Sequence, residues 1–406
     1  MKIRNKKTYT YGGVAFVGIL IVWFVVPAIF ATSYSSTDPM TTVAKEESKE
    51  DLVETTKPIY VETPEQVKTI YMTACVAGTP SFRDDLVEIV EDTEVNSIII
   101  DIKDFSGGIS FDTENEILKP YISDRCGALD MREFVRELNE KGVYVIGRIT
   151  VFQDPLYAKY HPEVAVQKEG DRSTWSDYKK VNYIDPGAKD FWKYILELSL
   201  ESYDLGFDEL NFDYIRFPSD GPMKDIYYPI SESVVTSNPE TGKAEVVRSF
   251  FQFLNEELRE KRDIPISADI FGMTTTNTDD LNIGQILEYT LPYFDYVAPM
   301  VYPSHYPKNF NGWANPNEHV YEVVNFSMKS AYDRTVEYKN ATTTPKNISK
   351  NISPEQLRTW IQDFDYGGDY DVPEIRDQIK ASYDAGVKSW MIWSPSNRYT
   401  IGALEK

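Results

Sequence analysis

The chain has 406 residues with an apolar share of 42% and a charged share of 26%, a globular composition long enough for one large domain with attachments. Its 64 Asp and Glu outweigh 42 Lys and Arg, and the resulting net charge of −22 repels phosphate backbones and argues against nucleic acid as a partner. Two cysteines allow at most one bridge and three scattered histidines make a poor zinc site, while Walker, G-x-G-x-x-G and G-x-S-x-G motifs are absent, so neither metal nor cofactor is expected.

Residues 1–11 form a basic segment (MKIRNKK at its start), followed at 12–31 by GGVAFVGILIVWFVVPAIFA, twenty residues without a charge. A run of about 20 apolar residues matches the hydrocarbon thickness of a bilayer. The cations upstream place the amino terminus in the cytoplasm, so the run reads as a transmembrane signal-anchor with everything after it extracellular. Cleavage after Ala31, which would secrete the chain, is the alternative. Residues 32–64 are rich in Ser, Thr, Glu and Lys and read as a disordered extracellular linker.

The body, 65–406, alternates strand and helix. Strands are expected at Ile70–Ala77, Ser97–Lys103, Val143–Thr150, Phe207–Phe217, Pro265–Phe271, Tyr296–Tyr302, Leu357–Phe364 and Ser389–Trp393. Helices fall between them at Asp130–Lys141, Lys189–Asp204, Val246–Lys261 and Glu374–Ala385, and Gly142 and Gly386 mark two helix ends. Eight such units predict an α/β fold, a (β/α)8 TIM barrel.

In that barrel the chemistry belongs at the C-terminal ends of the strands. Polar residues collect there: Asp101, Lys103 and Asp104 on the second strand, Arg148 on the third, Asn211, Asp213 and Arg216 on the fourth, and Asp269 on the fifth. Tyr302 and His305 follow on the sixth, Gln362 and Asp363 on the seventh, and Trp393 on the eighth. Unpartnered buried charge is costly, so carboxylates entering from several strands need partners or a task. Asp213 and Asp269 are the catalytic candidates, because glycosidic cleavage uses two carboxyl groups flanking the bond. The competing reading is structural, with Asp213 paired to Arg216 or Arg148 and Asp101 to Lys103. The acidic stretch Asp363–Asp371 fails the calcium-loop pattern and reads as a solvated loop.

The segments IIIDIKD, GVYVIGRITVF, LGFDELNFDYIRFP, SADIFGMTTTNTDD, YVAPMVYPSHY and TWIQDF, in that order, resemble a bacterial family described as "putative glycosyl hydrolase domain", over about residues 70 to 400. The resemblance implies an exported or membrane-anchored (β/α)8 barrel of undefined substrate. More distantly, the fourth strand is similar to the chitinase-like family 18 signature, with Asp208, Asn211 and Asp213 on its aspartate ladder. Its catalytic Glu is replaced by Ile215, so chitinase activity is not expected. In the α-amylase-like clan a nucleophilic Asp ends strand four and an acid ends strand five, which that analogy matches to Asp213 and Asp269. The expectation is an extracellular glycoside hydrolase acting on a cell-wall or capsular polysaccharide, with Arg148, Asn211 and Tyr302 positioning the sugar. The alternative is a non-catalytic glycan-binding barrel displayed at the surface.

Overall fold

The computed structural model describes residues 57–341 and 352–406. The basic segment 1–11, the apolar run 12–31 and all but the end of the linker 32–64 lie outside them. Among the described residues no helix is long and apolar enough to cross a membrane.

Eight parallel strands close into a barrel in chain order. They are β1 (Lys68–Met72), β2 (Ser97–Lys103), β3 (Tyr144–Thr150), β4 (Glu209–Asp213), β5 (Ile266–Phe271), β6 (Tyr296–Met300), β7 (Arg358–Gln362) and β8 (Ser389–Trp393). Side-chain alternation divides the core in two. On β2, Ile98, Ile100 and Ile102 pack toward the helices, whereas Ile99 joins Tyr144, Ile146, Ala298 and Met391 inside the barrel. The second set is small, because polar residues fill much of the lumen.

Helices cover the outside at Pro80–Asp92, Met131–Glu140, Lys189–Leu205, Gly242–Lys261, Val320–Ala341 and Val372–Asp384. Gly142 (φ 78°) and Gly386 (φ 92°) end two of them in the left-handed conformation. In each case the glycine N–H and the next residue's N–H bond back to the last turn, Gly142 to Asn139 and Val143 to Leu138, Gly386 to Tyr383 and Val387 to Ser382. Sequence patterning missed Pro80–Asp92 and Val320–Ala341. The buried face of the latter includes Ser327, Ala331 and Thr335 beside Val320, Val323, Val324 and Met328, so its apolar stripe is broken. Between β5 and β6 two short pieces, the 3₁₀ turn Gly272–Thr275 and the single α-turn Leu287–Thr290, stand in for a long helix.

All strands except β2 and β8 are shorter than expected, and for two of them the cause is local. β1 stops at Met72, and Thr73 accepts a hydrogen bond from Val76 N–H to start the turn Ala74–Ala77. β4 stops at Asp213 because Tyr214 turns to φ 52°. Below the barrel, Asp208 accepts hydrogen bonds from Val145 N–H (2.7 Å) and Val61 N–H (2.7 Å). Asn139 donates to Ile59 O (2.6 Å) and Tyr60 stacks on Tyr203 at 4.5 Å. The contacts of the barrel therefore begin near Ile59, before the residue 65 boundary that composition suggests.

Cys75, after β1, and Cys126, in the connection after β2, form a disulfide across a sequence separation of 51 residues. A crosslink of that span restricts the unfolded chain. The Cys75→Ser/Cys126→Ser variant is expected to lose about 2–4 kcal/mol in urea unfolding. An unchanged midpoint with and without reductant would contradict a stabilising role.

Candidate active site

The polar side chains converge at the C-terminal mouth because the strand register aligns them. Asp101 of β2 lies beside Arg148 of β3, Arg148 beside Asn211 of β4, and Asn211 beside Ser267 of β5. Arg148 is the hub. Its Nη1 donates to Asp101 Oδ1 (2.6 Å), its Nη2 pairs with Asp213 Oδ2, and its Nε lies 3.9 Å from Asp269 Oδ2. Tyr71 on β1 donates to the other Asp101 oxygen (2.5 Å). Burial opposes the Arg148 charge, but Asp213 and Asp101 outweigh it and hold the guanidinium protonated.

Asp269 sits deeper. Its Oδ1 accepts from Asn211 Nδ2 (2.9 Å) and from Trp360 Nε1 (2.7 Å). Burial and then the neighbouring Asp213 push its pKa up to about 8, only partly offset by Arg148. With Oδ1 occupied by two donors, the acid proton belongs on Oδ2. Asp101 is likewise raised, first by burial, against the pull of Arg148. Tyr214 N–H donates to Asp213 Oδ1 (2.6 Å), from a backbone conformation unusual for a bulky residue. Strain of that kind collects where surrounding structure enforces a site.

These groups border a cavity of about 140 Å³, lined by Tyr71, Arg148, Asp213, Tyr214, Arg216 and Asp269 together with Phe271, Met300, Tyr302, His305, Trp360 and Trp393. One water needs roughly 10–15 Å³, so the space is several times that of a single water. Burial pushes the His305 imidazole down, with Lys179 adding to the effect, and raises Tyr302 well above the usual phenol range.

Of the residues singled out from sequence, Asp213, Asp269, Arg148, Arg216, Tyr302, His305 and Trp393 line this cavity, and Asp101 and Asn211 hold its lining residues from behind. Arg216 turns its Nη1 to Phe217 O (3.0 Å) and Ser219 Oγ (3.0 Å), so the partner of Asp213 is Arg148. Gln362 is buried beneath, accepting from Ser304 Oγ (2.7 Å) and donating to Phe364 O (2.9 Å).

Three candidates lie elsewhere. Lys103 is fully buried on the helix side, 2.9 Å from Asp154 Oδ2 and donating to Thr150 O (2.6 Å). The register shift between Asp101 and Lys103 turns it out of the lumen, which corrects its placement as a substrate contact and as a partner of Asp101. Asp104 folds back on Ser106 N–H (2.8 Å) in a local turn. Asp363 accepts from Thr400 N–H (2.8 Å) and Thr400 Oγ1 (2.7 Å), pinning the C-terminal segment. Sequence reasoning left out Tyr71, Tyr214, Phe271 and Trp360 as site residues. Only Trp360 carried a signal, an aromatic close to a strand end. Among the described residues no group of three or more His, Cys, Asp or Glu side chains is arranged to hold a metal.

A closed parallel barrel with paired acids at its C-terminal mouth defines a glycoside-hydrolase-like TIM barrel. The chain belongs to the family described as "Putative glycosyl hydrolase domain", whose model matches residues 69–399. No protein of curated function matches the sequence. Solved structures similar to this one include the PgaB (BpsB) glycoside hydrolase domain from Bordetella bronchiseptica, at a TM-score of 0.57 and 13% identity, covering 84% of this chain and 99% of that one. The catalytic domain of β-amylase from Paenibacillus polymyxa is similar at a TM-score of 0.51 and 9% identity, covering 84% and 95%. Alpha-L-fucosidase isoenzyme 2 from Paenibacillus thiaminolyticus is similar at 0.52 and 13%, covering 83% of this chain and 48% of that one. At such identities the likeness is one of fold.

Proposed function

We propose that the barrel is an extracellular glycoside hydrolase that cleaves a cell-wall or capsular polysaccharide by a two-carboxylate mechanism. The observation that carries this reading is geometric: Asp269 and Asp213, on adjacent strands, share one cavity and one arginine, and burial raises the Asp269 pKa. Asp269 would give its Oδ2 proton to the glycosidic oxygen as that bond breaks. Asp213 would attack the anomeric carbon or take a proton from the water that does. Arg148 orients both, and Tyr302 and Trp393 offer ring faces to the sugar.

Export is part of the proposal. The uncharged run 12–31 would anchor the chain in the cell membrane, and the Cys75–Cys126 bridge supports an oxidising compartment.

A second reading, glycan binding without cleavage, is favoured by one observation: the Asp213 carboxylate is already engaged by Arg148. Release of reducing ends from purified wall and capsular polysaccharides separates the two. The wild type is expected to release them, and Asp213→Asn to lose about 10²–10⁴-fold of that rate. Equal rates would remove Asp213 from the mechanism, and binding without any product would establish the second reading.

A further inference from the structure

The cavity is small for what the fold presents around it. At about 140 Å³ it lies below the roughly 300 Å³ lower end of small-molecule sites, and so suits one sugar ring rather than a chain. From it a line of rings runs outward over the ends of β6, β7 and β8. Buried Tyr302 lies 5.1 Å from Trp393, and Trp393 lies 6.2 Å from His305. His305 in turn lies 6.2 Å from Tyr366, which is 62% exposed on the loop after β7. The Tyr366 hydroxyl makes no hydrogen bond among the described residues.

The hydrogen bonds at His305 fix which of its nitrogens faces a ligand. Gln362 donates its amide N–H to Phe364 O (2.9 Å), which leaves Gln362 Oε1 to accept from Ser304 Oγ (2.7 Å). Ser304 has then used its one proton, so its contact with His305 Nδ1 (3.0 Å) is made by the Nδ1–H. A neutral imidazole with Nδ1–H carries an unprotonated Nε2, an acceptor without a partner among the described residues. Burial lowers the His305 pKa and supports the neutral form. An exposed aromatic face beside a fixed acceptor suits a pyranose, which stacks its C–H face and donates a hydroxyl.

We infer that Tyr366 extends the ring line of Trp393 and His305 beyond the cavity they border into a second sugar subsite, so that the ligand is an oligosaccharide of at least two residues entering across the β6–β8 side. This rests on the glycoside hydrolase reading, and takes it to a requirement for chain length.

The test uses purified wall and capsular polysaccharides, partially acid-hydrolysed and sized to fragments of one to six residues. Binding is followed by tryptophan fluorescence, which Trp393 and Trp360 place at the site, and cleavage by kcat/KM. Wild-type affinity is expected to rise about 10-fold between one and two residues and then to level off. Tyr366→Ala, at an exposed position, is expected to flatten that rise. His305→Ala should weaken it, and His305→Gln, whose amide oxygen restores an acceptor, should recover part of it. A wild-type affinity independent of length, or a rise that survives in Tyr366→Ala, would overturn the subsite and leave the catalytic proposal standing. If fragments of every length fail to bind and no polysaccharide is cleaved, both fall.

Discussion

Asp269→Asn is expected to slow glycan cleavage by about 10²–10⁴-fold and to erase the alkaline limb of the pH profile. The amide can keep the Oδ1 contacts with Asn211 and Trp360, so the cavity keeps its shape while the acid proton is lost. In the wild type that proton is held up to about pH 8, because burial and the adjacent Asp213 disfavour a second negative charge. The active form is the protonated one. The rate at fixed low substrate should therefore be flat on the acid side of about pH 8 as far as Asp269 is concerned, and fall tenfold per pH unit above it. The same shift bears on stability with the same sign. The unfolded carboxyl titrates near its ordinary 3.8, and the folded one near 8. The contribution of Asp269 is fully present below the first value, declines through the window between them, and is gone above the second. Profiles of kcat/KM against pH for both proteins check the catalytic claim. An alkaline limb of equal position in Asp269→Asn would assign it to another group.

Much of this site was legible in the sequence because strand alternation is a strict rule. The pattern Asn211-Phe212-Asp213 puts two polar side chains on one face, and β-branched runs such as Ser97–Lys103 mark strand bounds to the residue. The failures occur where that rule is interrupted. Counting by twos sends Lys103 into the lumen with Asp101, but one extra residue in the ladder turns it toward Asp154 and Phe191. Asp363 finds its partner at Thr400, 37 positions later, and no local pattern marks such a pairing. The choice between Arg148 and Arg216 as the partner of Asp213 also depended on three dimensions. Arg216 is three positions from Asp213 and Arg148 is 65 away, yet it is Arg148 that stands in the adjoining strand and faces the carboxylate. Sequence alone does not separate Tyr71 and Trp360 from rings that only pack within apolar strands. Their roles come from what stands opposite, a carboxylate in each case.

The largest stability effect should come from below the site, where the lumen holds a second ion pair. Arg358 Nη1 donates to Glu209 Oε1 (2.7 Å), Tyr144 OH donates to Glu209 Oε2 (2.9 Å), and the guanidinium lies 3.5 Å above the Tyr296 ring. The two charged side chains are 1% and 0% exposed. Arg358 Nε and Nη2 have no hydrogen-bond partner among the described residues, so the pair is held by a single strong contact in a medium that solvates charge poorly. Removing either member strands the other. Glu209→Leu and Arg358→Met are each expected to destabilise the barrel by about 3–5 kcal/mol. The double variant exchanges two desolvated charges for apolar volume and should recover most of that loss, since such replacements are often neutral or better. Urea unfolding of the four proteins gives the coupling energy directly. Additive losses in the double variant would mean that the pair is not an isolated unit. Single losses below about 1 kcal/mol would mean that water reaches these charges, and that the floor of the barrel is wetter than its packing indicates.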